Sequence, residues 1–226
     1  MKFQLYLDSA DISALQECLP HPIIHGVTTN PTLLKRAGLN QSQEDLQDFV
    51  SDVFALGANQ IQVQVTESYA SDMVTNAWNI ITMFDKSDVF DNVTKSSMII
   101  KIPATRQGFI AGKELIDSGL LVTFTAVYTP EQAHFAAMLG AAYAAPYLGR
   151  LEDSEIDGIS RITTMQRLIE GSNTRLLVAS VRSRASYLAL LDIGVKSITI
   201  PPALFTKLVD HDATIEAERG FLADVE

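Results

Sequence analysis

Met98-Ile99-Ile100-Lys101-Ile102-Pro103, then a stretch of helical spacing over 107–118, then Gly119 and Leu120-Leu121-Val122-Thr123-Phe124-Thr125, decide the fold. Two short apolar runs separated by one helix must pair in parallel, because the connection has to cross back over the sheet. The same unit recurs in both directions. Strand-like runs fall at 3–7, 23–28, 61–66, 98–103, 120–125, 141–146, 176–180 and 197–201. Helix-like stretches follow them at 11–19, 42–56, 71–84, 107–118, 130–139, 159–170, 183–193 and 203–209. Thr129-Pro130 reads as a cap and a first helical turn, and Gly119, Gly140, Gly171 and Gly194 sit where a left-handed helix end wants glycine. The chain has 226 residues, and eight units of about 28 residues each suit a closed barrel. The expected fold is therefore an α/β, single-domain (β/α)8 TIM barrel over 1–226, with 211–226 as an extra C-terminal helix. An open doubly wound sheet is the competing architecture, but no Gly-x-Gly-x-x-Gly follows the first strand.

Composition limits the function classes. Hydrophobic residues make up 47% and charged residues 19%, enough for a large core without disulfide or metal support. The single Cys18 has no partner for a bridge, which suits a reducing compartment. A net charge of −10, from 17 basic and 27 acidic residues, argues against a nucleic-acid face. With no long apolar run and no signal-like start, a cytoplasmic protein without membrane contact is expected. The four histidines, His21, His25, His134 and His211, show no ligand spacing, so no metal or other cofactor is expected and each reads as a surface or packing residue.

Strand alternation sorts the polar residues. Where Met98, Ile100 and Ile102 lie under helices, Ile99 and Lys101 face the barrel interior. The same parity turns Tyr6 and Asp8, Gln62 and Gln64, Thr123 and Thr125, and Ala145 and Tyr147 inward. In the seventh strand it predicts Val178 and Ser180 inward, and Thr28 and Asn30 share a parity at the end of the second. Asp8, Thr28, Asn30, Gln64, Lys101, Thr125, Tyr147 and Ser180 thus gather at the carboxyl rim, where barrels of this kind carry their chemistry. Taken singly, most have a packing or capping role open to them; Asp8 or Ser9, for instance, could cap the first helix. Lys101 is different, because an ammonium inside a barrel is costly unless paired, neutralised or in use.

An apolar surround disfavours the charged form of lysine and frees an amine that attacks a ketone or aldehyde. The resulting iminium draws electrons from the adjacent carbon–carbon bond, which supports aldol cleavage or condensation without a metal. Asp8 is placed to move a proton, and Gln64, Thr125 and Tyr147 to hold a water. Thr28 and Asn30 suit substrate hydroxyls. Arg150 and the Ser180-Val181-Arg182 run suit a phosphate, although each arginine alone also reads as a solvated surface residue.

Six segments, Leu5-Tyr6-Leu7-Asp8, Gly26-Val27-Thr28-Thr29-Asn30-Pro31-Thr32, Ile99-Ile100-Lys101-Ile102-Pro103-Ala104-Thr105, Thr125-Ala126-Val127-Tyr128, Ala145-Pro146-Tyr147-Leu148-Gly149-Arg150 and Ala179-Ser180-Val181-Arg182, resemble the transaldolase family. The likeness is to its short members, which include fructose-6-phosphate aldolases, and runs from the first strand to the last. It implies a Schiff-base lysine at Lys101, an acid–base carboxylate at Asp8, dihydroxyacetone contacts at Thr28 and Asn30, and phosphate contacts at Arg150, Ser180 and Arg182. It also implies a homo-oligomer, a pentamer or decamer, with the C-terminal helix reaching a neighbour. Family transaldolases carry Glu and Phe where this chain has Gln64 and Tyr147, and the aldolases carry Gln and Tyr. Arg182 stands where some aldolases have Lys and matches the transaldolases. The stretch 85–97 is longer than in compact members and, preceding a strand, is expected on the barrel face opposite the chemistry.

The expected function is a Schiff-base aldolase or transaldolase acting on sugar phosphates, leaning to fructose-6-phosphate cleavage. Transfer of the three-carbon unit to an aldose phosphate, as in the pentose phosphate pathway, is the alternative. A phosphosugar isomerase working through Asp8 without an iminium is a further one, weakened by the lack of a strand-end Glu and His pair. A non-catalytic barrel is disfavoured by the intact inward polar set.

Overall fold

The computed structural model describes residues 2–40, 42–84 and 96–225. Eight parallel strands close into a barrel in sequence order: β1 (Gln4–Asp8), β2 (Ile24–Thr28), β3 (Gln60–Gln64), β4 (Met98–Pro103), β5 (Val122–Val127), β6 (Tyr143–Pro146), β7 (Arg175–Val178) and β8 (Ser197–Ile200). The helices among the described residues are α1 (Ile12–Cys18), α2 (Pro31–Arg36), α3 (Gln43–Ala55), α4 (Ala70–Phe84), α5 (Arg106–Asp117), α6 (Pro130–Leu139), α7 (Leu148–Asp153), α8 (Gly158–Leu168), α9 (Arg184–Asp192), α10 (Pro202–Val209) and α11 (Asp212–Ala223). The barrel and its alternation with helices agree with the sequence expectation. The long stretch before β4 falls largely on 85–95, outside the described residues. No helix among the described residues is long and apolar enough to cross a membrane.

Helix starts follow local chemistry. Asp11, rather than Asp8 or Ser9, caps α1 by accepting from the Ser13 and Ala14 amides. Thr129 and Gln132 form a reciprocal capping box on α6, with Pro130 in its first turn and Gly140 left-handed at its end. Two short helices, α2 and α7, were not expected. Both begin immediately after a strand, where a few residues give the hydrophobic period too little length to register.

The apolar residues fall into two sets. Leu7, Ile61, Ile100, Ile102, Val122, Phe124 and Val178 belong to the layer between sheet and helices. Tyr6, Ile99, Tyr143, Ala145 and Leu177 pack together inside the barrel. The expected parity therefore holds in β1, β4 and β6 but is reversed in β7, where Leu177 faces in and Val178 faces out. Arg175 shares the inward parity of Leu177 and donates to Gln4 at the amino end, but the run read from Leu176 onward leaves that charged marker out. At the amino end a polar plug closes the barrel: Tyr6 Oη contacts Gln60 and Tyr143, whose own hydroxyl donates to Gln4.

Gly26 shows how tightly the strands meet. The β1–β2 register shifts between Leu5 and Tyr6, and a Cβ added at Gly26 would lie 2.0 Å from the Gln60 carbonyl oxygen. Backbone cannot yield as a side chain can, so Gly26→Ala is expected to destabilise by about 3 kcal/mol, lowering the thermal midpoint by roughly 6–10 °C. A melt within 1–2 °C of the parent, on the order of experimental error, would contradict this account of the β2–β3 contact.

Candidate active site

Seven of the ten residues singled out in the sequence line one cavity of about 570 Å3 at the carboxyl end of the strands: Asp8, Asn30, Lys101, Tyr147, Arg150, Ser180 and Arg182. Thr28 lies behind Asp8, its hydroxyl donating to Asp8 Oδ1 at 2.7 Å. Thr125 lies behind Tyr147, their hydroxyls 2.7 Å apart. Gln64 pairs with Lys101 in the β3–β4 register but lines a neighbouring crevice with Leu34, Leu46, Asn76 and Asn79. The cavity also takes in Arg36 and Asp153, two charged residues on the short helices α2 and α7 that lie outside the strand-end segments read from the sequence.

Lys101 enters the barrel from the middle of β4 and is only 4% exposed. Its Nζ donates to the Thr29 carbonyl at 2.8 Å, so one N–H is fixed while the rest of the amine faces the cavity. Burial drives its pKa below that of an ordinary lysine, and the charge of Asp8 partly opposes the shift. Burial likewise pushes the Asp8 carboxyl above the usual range, with Lys101 and the Thr28 hydroxyl pulling it back. The two groups therefore hold opposite tendencies in one space: an amine inclined to be neutral and a carboxyl inclined to keep a proton. Tyr147 is raised as well, first by burial and further by the Asp8 charge, so it stays an O–H at neutral pH. Its ring meets Tyr128 edge-on at 6.1 Å.

Asn30 has a second duty that restricts its first. Its Oδ1 accepts from the Thr32 and Leu33 amides at 3.0 and 3.1 Å and caps α2. Only the Nδ2 donor remains for anything in the cavity.

The basic end of the cavity is shaped by backbone. Ser180 reaches it through a left-handed conformation, φ 59°, two residues past the end of β7, and not through the parity expected from the sequence. Its carbonyl accepts from the Gly149 amide at 3.0 Å. A Cβ at Gly149 would lie 2.6 Å from Arg182 Nε, so the missing side chain is what lets the guanidinium settle there. Arg182 is also held end-on by Asp153, at 2.6 and 2.7 Å. Both partners of that ion pair are more than half exposed, so solvent screening keeps it weak and open to exchange.

A closed parallel barrel with a buried amine, a carboxylate and three arginines at its carboxyl rim defines a (β/α)8 protein whose chemistry sits on the strand ends. The sequence profile of the transaldolase/fructose-6-phosphate aldolase family matches residues 5–225, and the chain belongs to that family of transaldolase-type enzymes. It is similar to a probable transaldolase of Ruegeria sp. (strain TM1040), 32% identical over all of this chain and 96% of the relative. A probable transaldolase of Caulobacter vibrioides (strain NA1000 / CB15N) is 30% identical over 98% of this chain and 95% of its own length. One from Streptococcus equi subsp. equi (strain 4047) is 29% identical over 99% of this chain and 97% of its own.

Burying Lys101 carries a stability cost with a defined pH dependence. A lysine whose folded pKa lies below its unfolded value penalises folding fully below the folded value, and the penalty vanishes as pH rises past the unfolded value, about 10.4. Lys101→Met is therefore expected to melt higher than the parent at pH 7, by about 1 kcal/mol or roughly 3 °C. The gap should narrow as pH approaches 10, on the order of the unfolded value. A variant that melts lower at neutral pH would mean the amine stabilises the fold.

Proposed function

We propose that this protein is a Schiff-base enzyme that breaks and forms a carbon–carbon bond in ketose phosphates, holding a dihydroxyacetone unit on Lys101. One observation carries the reading: a buried amine inclined to neutrality shares a cavity with a carboxyl inclined to keep its proton. Nζ adds to the substrate ketone, the Asp8 carboxylic acid gives its proton to the departing hydroxyl, and water leaves, giving the iminium and an Asp8 carboxylate. As the bond beyond the adjacent carbon breaks, its electron pair moves into the iminium to form an enamine. Asp8 takes the hydroxyl proton, and the aldehyde departs. Protonation of the enamine carbon restores the iminium, and water then releases dihydroxyacetone and the free amine.

Free-aldolase activity on fructose 6-phosphate is the favoured form. The Tyr147 hydroxyl, neutral and 2.7 Å from Thr125 Oγ1, suits the holding of a hydrolytic water. Transfer to an aldose phosphate is the second reading, supported by relatives named as probable transaldolases. Sodium borohydride added with fructose 6-phosphate should fix a three-carbon adduct on Lys101, seen by peptide mass spectrometry, and the lack of one would remove the Schiff-base reading. Glyceraldehyde 3-phosphate released without erythrose 4-phosphate marks the aldolase. Strict dependence on that acceptor marks the transferase.

Arg150, Ser180 and Arg182 are assigned to the substrate phosphate, which displaces or shares the Asp153 carboxylate on Arg182. Because Gly149 makes room for that guanidinium, Gly149→Ala should raise KM for fructose 6-phosphate by about tenfold while altering kcat less. An unchanged KM would move the phosphate elsewhere in the cavity.

A further inference from the structure

Asp8 is the end of a short chain of hydroxyls. Thr28 Oγ1 donates to Asp8 Oδ1 at 2.7 Å, and Thr199 Oγ1 lies 2.7 Å from Thr28 Oγ1. Thr199 sits on β8, opposite Tyr6 in the register with β1, and is not among the residues lining the cavity. Thr28 is fully buried and Thr199 only 2% exposed, so bulk water cannot replace a lost partner. A hydroxyl has one proton to give. While Asp8 is ionised, the Thr28 proton is committed to it, and Thr199 must donate to Thr28. Once Asp8 is protonated, its O–H can donate to Thr28 Oγ1, whose own proton then turns to Thr199 Oγ1. The pair can reverse as a unit, and both arrangements use the same two 2.7 Å contacts.

We propose that Thr199 is a positioning residue: with Thr28 it forms a reversible hydroxyl chain that lets Asp8 alternate between carboxylate and carboxylic acid without repacking. The proposal rests on the reading of Asp8 as the acid–base group. Other groups also act on Asp8. Lys101 faces it from β4 and Tyr147 from the end of β6, while Arg36, Arg150, Arg182 and Asp153 share the cavity. Strand β8 contributes no titratable side chain, and Lys207, the one ionisable residue of α10, which packs on β1, is exposed. Removing the Thr199 hydroxyl thus changes the hydrogen bonding of Asp8 without changing any charge near it.

The test compares Thr199→Val, which keeps the shape, with Thr199→Ser, which keeps the hydroxyl. Thr199→Ala serves in place of valine should that variant fold poorly. The Asp8 carboxyl is titrated by difference infrared spectroscopy, its band assigned with Asp8→Asn, alongside kcat, KM and borohydride trapping on Lys101. With valine the carboxylate keeps its Thr28 donor while the acid form loses the acceptor for the Thr28 proton, so the Asp8 titration and the acid limb of kcat should move down by about one pH unit. At neutral pH, kcat should fall by about tenfold with KM within roughly twofold and the Lys101 adduct still formed. Serine should restore both. An Asp8 titration that valine leaves in place, or a loss that serine does not rescue, overturns the hydroxyl chain. A shifted titration in a protein that forms no Lys101 adduct upholds the chain and defeats the Schiff-base reading instead.

Discussion

The rest of the structure depends on keeping one amine out of water. A lysine inside a barrel is tolerated only if its surroundings accept a neutral nitrogen or supply a countercharge, and Lys101 receives a measure of both. The Thr29 carbonyl accepts a hydrogen bond from it, and Asp8 shares its cavity. Neither is strong enough to lock the amine. A carbonyl has no net charge, and burial pushes Asp8 towards its own neutral form. Had the same lysine met an ionised carboxylate in close contact, its charge would have been stabilised and its nucleophilicity lost. The arrangement is suited to reactivity because it stays incompletely paired.

That incompleteness is bearable because the barrel beneath is fully packed. Tyr6, Ile99, Tyr143, Ala145 and Leu177 fill the lower interior, and the Gln4, Gln60, Tyr6 and Tyr143 side chains satisfy one another at the amino end. Lys101 opens to the cavity at the carboxyl rim. Strain is concentrated there too. Ala126 and Ser180 adopt left-handed backbone, at φ 54° and 59°, each just past a residue of the site. Each costs on the order of 1 kcal/mol, held by the sheet on one side and by a helix start on the other. Ala126 breaks the alternation within β5 and Ser180 turns the chain just beyond β7, which is how the rim can present side chains that regular pleating would send elsewhere.

Those departures also explain what could be read from the sequence. Strand parity placed Lys101, Asp8, Thr125 and Tyr147 because each sits on a strand or at its very end, where period two still applies. It placed Ser180 at the cavity for the wrong reason: Leu177, not Val178, faces inward, and the left-handed turn at Ser180 supplies the change of direction. Asn30 was legible as a rim residue, but its capping bonds to α2 were not, since a cap and a ligand contact use the same side-chain type. Arg36 and Asp153 escaped notice because they end their six-residue helices, beyond the strand-end segments, whereas Arg150 on the same helix as Asp153 falls within one. Thr199 gave only a weak signal. A threonine in an apolar strand is ordinary, and its importance appears once Thr28 and Asp8 are known to lie in line with it.

The difference between releasing the three-carbon unit and passing it on then becomes a question of where water can be held, not of how the bond is broken. Cleavage uses Lys101 and Asp8 in either case under the proposed mechanism. Release additionally needs a water fixed near the iminium carbon, and a hydroxyl pair such as Thr125–Tyr147 supplies both a donor and an acceptor for it. Gln64, beside Lys101 in the register yet lining a separate crevice, is poorly placed to share that duty unless its amide turns towards the cavity. Under the proposed mechanism the balance between the two outcomes would rest more on Tyr147 than on Gln64, although the family likeness weights the two positions alike. A ring edge packed on Tyr128 and a hydroxyl tied to Thr125 fix Tyr147 from two directions. A group held that firmly can order a water without losing further freedom of its own when the iminium forms.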